Sequence, residues 1–89
     1  MKHYNLTISG RVQGVWYRGS ARLKASQLGL CGFVRNSPDG NVYAEAEGTE
    51  EALQAFIRWC KRGPELAKVE KVEVEEGEWK GFTQFEVIR

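Results

Sequence analysis

The chain has 89 residues, enough for one domain with one compact core. Its 13 Lys and Arg nearly cancel 12 Asp and Glu, leaving a net charge of +1 and arguing against the clustered basic surface of a nucleic-acid binder. No run of 18 or more apolar residues is present, so no membrane-spanning helix is expected, and Met1-Lys2-His3-Tyr4-Asn5 lacks the apolar core of a signal peptide. The expected location is the cytoplasm. Cys31 and Cys60 lie far apart with no Cys-x-x-Cys spacing, as suits small core thiols in a reducing compartment. His3 is the only histidine, which leaves little for a His-based metal site or a Ser/His/Asp triad. It is read as a solvated strand residue.

From about residue 3 to 12 the sequence alternates. Tyr4, Leu6, Ile8 and Val12 take one face; Asn5, Thr7, Ser9 and Arg11 take the other. This period of two predicts a half-buried strand. Gly10 and Gly14 bracket a turn-prone stretch. From Tyr17 to Leu28 the period changes: Tyr17, Ala21, Ala25 and Leu28 recur at helical spacing, and Gly29 is a left-handed stop. Leu30 to Asn36 reads as a second strand, and Ser37-Pro38-Asp39-Gly40 as a type I turn. The strand from Asn41 to Gly48 completes a hairpin, with Val42, Ala44 and Ala46 on one face and Tyr43, Glu45 and Glu47 on an acidic one. Thr49 is a candidate N-cap, followed by Glu50 and Glu51. Leu53, Phe56, Ile57 and Cys60 form an apolar helical stripe that ends at Gly63-Pro64. Val69, Val72 and Val74 mark a fourth strand; Phe82, Phe85 and Val87 mark a short fifth. Strand, helix, strand, strand, helix, strand is the α+β split βαβ, or ferredoxin-like, order, with two helices on one face of a mainly antiparallel sheet.

Gly10-Arg11-Val12-Gln13-Gly14-Val15-Trp16-Tyr17-Arg18 carries the chemical signal. A strand ends, a glycine-containing loop follows, and a helix begins. The first N–H groups of a helix have no intrahelical partner and carry partial positive charge, so the loop is a candidate anion cradle. Arg18, in the first helical turn, has the planar guanidinium that matches phosphate oxygens. The stretch is neither a Walker A loop nor Gly-x-Gly-x-x-Gly. Asn36 ends the second strand. Strands one and two run parallel, so Asn36 should meet the loop at their shared carboxyl edge. Alternatively it is a turn-starting Asn that bonds its own backbone. Gln13 either braces the loop or is simply a polar loop residue. Trp16 is a candidate for the site's mouth; Trp59 and Trp79 are read as packing residues.

The nine-residue stretch resembles the first acylphosphatase signature, Gly-x-Val-Gln-Gly-Val-x-Phe-Arg. Gly32-Phe33-Val34-Arg35-Asn36, with Gly40-Asn41-Val42 and Gly48 downstream, resembles the second. The resemblance spans essentially the whole chain, with Tyr17 where Phe is usual. It implies that Val12, Gln13, Gly14, Val15, Trp16, Tyr17 and Arg18 form the phosphoryl-binding loop, with Arg18 on the phosphate oxygens. It implies that Asn36 orients the attacking water, that no metal or other cofactor takes part, and that the chain acts as a monomer on a small-molecule acyl phosphate, releasing inorganic phosphate. The other classes with this element order are an RNA-binding module and a non-catalytic phosphate- or ligand-binding domain. The third strand lacks the Lys/Arg-Gly-aromatic signature of the former, and its acidic face would repel phosphates.

Overall fold

The computed structural model describes residues 1–89. The elements follow the expected order: β1 (Lys2–Arg11), α1 (Tyr17–Gln27), β2 (Cys31–Asn36), β3 (Val42–Gly48), α2 (Glu50–Arg62), β4 (Lys68–Gly77) and β5 (Phe85–Ile88). They build one five-stranded sheet in the order β4-β1-β3-β2-β5. β3 pairs antiparallel with both β1 and β2, β4 pairs antiparallel with β1, and β5 pairs parallel with β2.

The sequence periods explain this assembly. Leu6 and Ile8 of β1, Val34 of β2 and Val42, Ala44 and Ala46 of β3 are buried on one face of the sheet. Leu53, Phe56 and Cys60 of α2 and Tyr17, Ala21 and Ala25 of α1 close over them. Small alanines on α1 and β3 let helix and sheet approach closely, and Phe56 fills the space between, its ring edge-on to Phe85 at 5.8 Å. α2 starts as expected: Thr49 Oγ1 accepts from the Ala52 amide at 3.1 Å, and Glu50 and Glu51 sit in the first turn. No helix is long and apolar enough to cross a membrane.

The far face of the sheet departs from expectation. β4 lies at one edge and β5 at the other, so the chain between Gly77 and Phe85 must traverse β1, β3 and β2. It crosses on the face without helices. Glu47 accepts there from the amides of Lys80 and Phe82, the latter at 2.9 Å. Lys80 Nζ meets Glu45 Oε1 at 2.8 Å. His3 is therefore not solvated: it is 1 % exposed, its Nδ1 lies 2.7 Å from Glu47 Oε2, and its ring stacks on Phe82. The acidic face of β3 is not an open one either, because Glu45 and Glu47 are buried under this connection. Both departures have one cause. Alternation in β1 and β3 identifies two faces, but only the sheet order reveals that a later segment covers the second. Phe82 belongs to that segment rather than to β5, and Trp79, read as a packing residue, is 54 % exposed.

Candidate active site

The site forms where β1 and β2 both end. A register shift between Ser9 and Gly10 turns the end of β1, with Gly10 at φ 120° directly against the Lys68 carbonyl, where a side chain would collide. Gly14, at φ 75°, then takes a left-handed step inside the loop. The chain enters α1 through Trp16, the one non-glycine residue with positive φ (61°).

The two helix starts differ. α2 has a side-chain cap and two acids in its first turn; α1 has neither. The Ser20 amide is the first in α1 to reach an intrahelical carbonyl, that of Trp16 at 3.3 Å. The amides of residues 17–19 precede it, so the positive end of α1 is left unneutralised by the protein itself. Val12, Gly14, Trp16, Tyr17 and Arg18 line a cavity of about 220 Å³ at this end, and Asn36 lines it from the β2 side. Loop and strand end thus meet at one sheet edge.

Around this cavity the charge is one-sided. Its lining side chains include those of Arg18 and Arg89 and none of Asp, Glu, His, Cys or Ser. Arg18 is half-buried, with Nη1 3.5 Å from the Ile88 carbonyl oxygen. Asn36 Oδ1 is buried and accepts no hydrogen bond from the protein. A buried amide oxygen without a donor costs about 1–3 kcal/mol, and here it belongs to a residue that lines the cavity. The turn-starting alternative is not what occurs. The Asx contact of the hairpin is made by Asp39, whose Oδ1 accepts from the Asn41 amide at 3.0 Å.

Gln13 is the brace of its two readings. Its Nε2 donates to the carbonyls of Ser37 (2.9 Å) and Asn41 (2.8 Å), tying the loop to the hairpin that carries Asn36. Gln13 and Val15 do not line the cavity. Tyr17 turns its ring into the core, where its hydroxyl donates to the Cys60 carbonyl at 2.8 Å. Burial, then the neighbouring Cys60, pushes that hydroxyl's pKa well above its ordinary value. Cys60 itself is held up at about 12 by burial, which makes it a packing thiol and not a nucleophile. Cys31 is half-buried.

Three lining residues escape sequence reasoning: Gly19, Val87 and Arg89. β5 brings the last two. It runs parallel to β2, with Arg35 opposite Ile88, so the residue after each pair, Asn36 and Arg89, arrives at the same edge. The signal for this is the pairing partner of a four-residue strand, which no local pattern encodes.

The acylphosphatase family model matches residues 4–87. An acylphosphatase of Methylococcus capsulatus is 53 % identical to the chain, covering 100 % of it and 98 % of the relative. One of Thiobacillus denitrificans is 54 % identical over 92 % of this chain and 94 % of its own. Among solved structures, that of acylphosphatase from Bacillus subtilis superposes with a TM-score of 0.97 at 37 % identity, covering both chains entirely. A match of this length, together with a cavity formed where the two signature stretches converge, makes the chain a member of the acylphosphatase family.

Proposed function

We propose that the chain hydrolyses acyl phosphates to a carboxylate and inorganic phosphate, with Arg18 and the amides of the 12–18 loop holding the phosphoryl group and Asn36 holding the attacking water. The observation that carries this reading is the buried, unpartnered Oδ1 of Asn36, a residue lining a cavity whose two charged side chains are both arginines. An acceptor without a donor suits a water molecule, which donates a proton to it while presenting a lone pair to phosphorus.

Phosphoryl transfer asks a protein for placement and for stabilisation of charge on the equatorial oxygens. The free start of α1 and the Arg18 guanidinium supply the second. The leaving group is a carboxylate, stable as an anion, so no general acid is required. This fits a cavity lined by no His, Asp or Glu side chain, with His3 at the opposite end of β1. The same reasoning needs no metal. The role of Gln13 is to fix the distance between loop and Asn36, since it bonds the backbone on both sides of the hairpin turn. The unpaired thiols agree with a cytoplasmic setting, and a single site within one small domain agrees with a monomer.

A non-catalytic phosphate binder of the same architecture lacks a reason to bury an unsatisfied Asn36 oxygen. An RNA-binding module needs an open sheet face; here Lys80 and Phe82 lie across β1 and β3. The decisive measurement is hydrolysis of acetyl and benzoyl phosphate in chelator-treated buffer. Arg18→Ala is expected to abolish phosphate binding and turnover. Asn36→Ala is expected to lower kcat about 10²- to 10³-fold while phosphate still binds. Turnover at the wild-type rate in Asn36→Ala would sink the water-positioning role, and a chelator-sensitive rate would sink the metal-free one.

A further inference from the structure

The net charge of +1 hides an asymmetry. α1 contains Arg18, Arg22 and Lys24 and no acidic residue, and the acids of α2 are confined to its first turn, at Glu50 and Glu51. Acids collect instead on β4, at Glu70, Glu73, Glu75 and Glu76. Beyond the first turn of α2, the helical layer is therefore cationic.

That excess converges at one place. A cleft of about 270 Å³ between α1 and α2 is lined by Lys24, Ala55, Arg58, Trp59 and Arg62. It shares no residue with the phosphoryl cavity. Three of its lining side chains are cations and none is an acid. None of the three is paired: the ion pairs of the molecule lie at Lys2, His3, Lys71 and Lys80, and the one cation over an aromatic ring is Arg35 on Tyr43. Arg58 and Arg62 stand one turn apart on the same face of α2, where like charges destabilise a helix. Lys24 is half-buried across the cleft on α1, and a cation drawn out of water without a counter-charge costs free energy. Helix dipoles account for Lys24 and Arg62 singly, each in the last turn of its own helix. They do not account for Arg58, a turn earlier, nor for the gathering of all three around one cleft. Ala55 leaves the space open with only a methyl group. Trp59 is a fixed wall, its ring centroid 5.4 Å from that of Tyr17 and 6.3 Å from that of Phe56.

We propose that this cleft is a second anion site, which takes a linear polyphosphate chain, free or as the tail of a nucleotide, with Lys24, Arg58 and Arg62 on its oxygens. The two planar guanidinium groups match phosphate oxygens in pairs, and the ammonium group supplies a point charge. A single phosphoryl group leaves part of a three-cation site unneutralised; a chain of them answers all three. The site stands apart from the hydrolysis proposed above and does not depend on it.

The test is calorimetric titration with sodium tripolyphosphate in an Arg18→Ala background, which keeps the phosphoryl loop out of the readout. One tripolyphosphate per chain should bind, with an affinity that falls as salt rises. Lys24→Ala and Arg58→Ala, each added to that background, should weaken binding about tenfold or more, the scale of a lost hydrogen bond to a charged group. Lys61→Ala removes the same charge from the last turn of α2 without touching the cleft lining, and should leave the affinity within about twofold. Adenosine triphosphate as titrant separates the two sources of the chain: tighter binding than tripolyphosphate assigns the nucleotide, equal or weaker binding the inorganic chain. Urea midpoints matching the parent separate lost contacts from a lost fold, and Lys24→Gln and Arg58→Gln replace any alanine variant that unfolds. No binding by the Arg18→Ala chain, undiminished binding in the Lys24 and Arg58 variants, or an equal loss in Lys61→Ala overturns the site.

Discussion

Tyr17 illustrates how one atom can belong to the fold and not to the chemistry. It stands at the start of α1 in a position where the family signature has Phe, so its hydroxyl invites a functional reading. Its partner instead is the Cys60 carbonyl, near the end of α2. That carbonyl would ordinarily accept from the amide four residues on, but residue 64 is Pro and has none. The Tyr17 hydroxyl fills the gap left by Pro64, and in doing so ties the end of α2 to the beginning of α1. Tyr17→Phe leaves a buried carbonyl without a donor and is expected to cost about 1–3 kcal/mol. A urea titration should show the midpoint falling with the slope unchanged; an unmoved midpoint would mean that the carbonyl is satisfied some other way.

At the scale of elements, the connection between β4 and β5 determines more than its irregular sequence suggests. It is held by two buried carboxylates. Glu47 accepts from His3 and from the amides of Lys80 and Phe82, while Glu45 beside it accepts from Tyr43 and Lys80. Burial alone would raise the pKa of Glu47; the Lys80 amide, His3 and the Phe82 amide outweigh it and hold the carboxyl below its ordinary range. Glu45 moves the same way, burial being outweighed by Lys80 and Tyr43. A carboxyl with a lowered folded-state pKa contributes stability above its unfolded value, about 4.3 for Glu, and loses that contribution as pH falls through the lower folded value. Stability should therefore decline steeply below about pH 4, and Glu47→Gln should flatten that decline. The measurement is the urea midpoint between pH 7 and pH 3. If the acid limb of Glu47→Gln matches the wild type, the connection is held by something else.

Over the whole molecule, what the sequence makes legible is whatever is local. Each element is announced by its own period: Leu6 and Ile8 for β1, Ala21 and Ala25 for α1, Phe56 and Cys60 for α2. Arg18 and Asn36 are legible because they sit in gapped signatures and because a βαβ crossover forces their two strands to end together. What is hidden depends on the order of strands. His3 and Glu47 look like solvent-facing positions until a segment more than thirty residues later covers them. Val87 and Arg89 look like the tail of a short strand until parallel pairing with β2 carries them to the cavity that Asn36 lines. Gln13 offers no pattern of its own, since an amide suits a brace and a loop equally.

The site therefore draws on both extremes of the fold, the loop after β1 and the end of β5. During synthesis the first strand and helix emerge early, yet the cavity stays unwalled until β5 has docked on the far edge of the sheet. Turnover thus reports completed folding and not partial collapse: in refolding from urea, recovery of hydrolysis should follow the slowest phase seen by tryptophan fluorescence, never precede it. A nascent chain still tethered at the ribosome, with β5 inside the exit tunnel, would carry both signature stretches in full and remain catalytically silent.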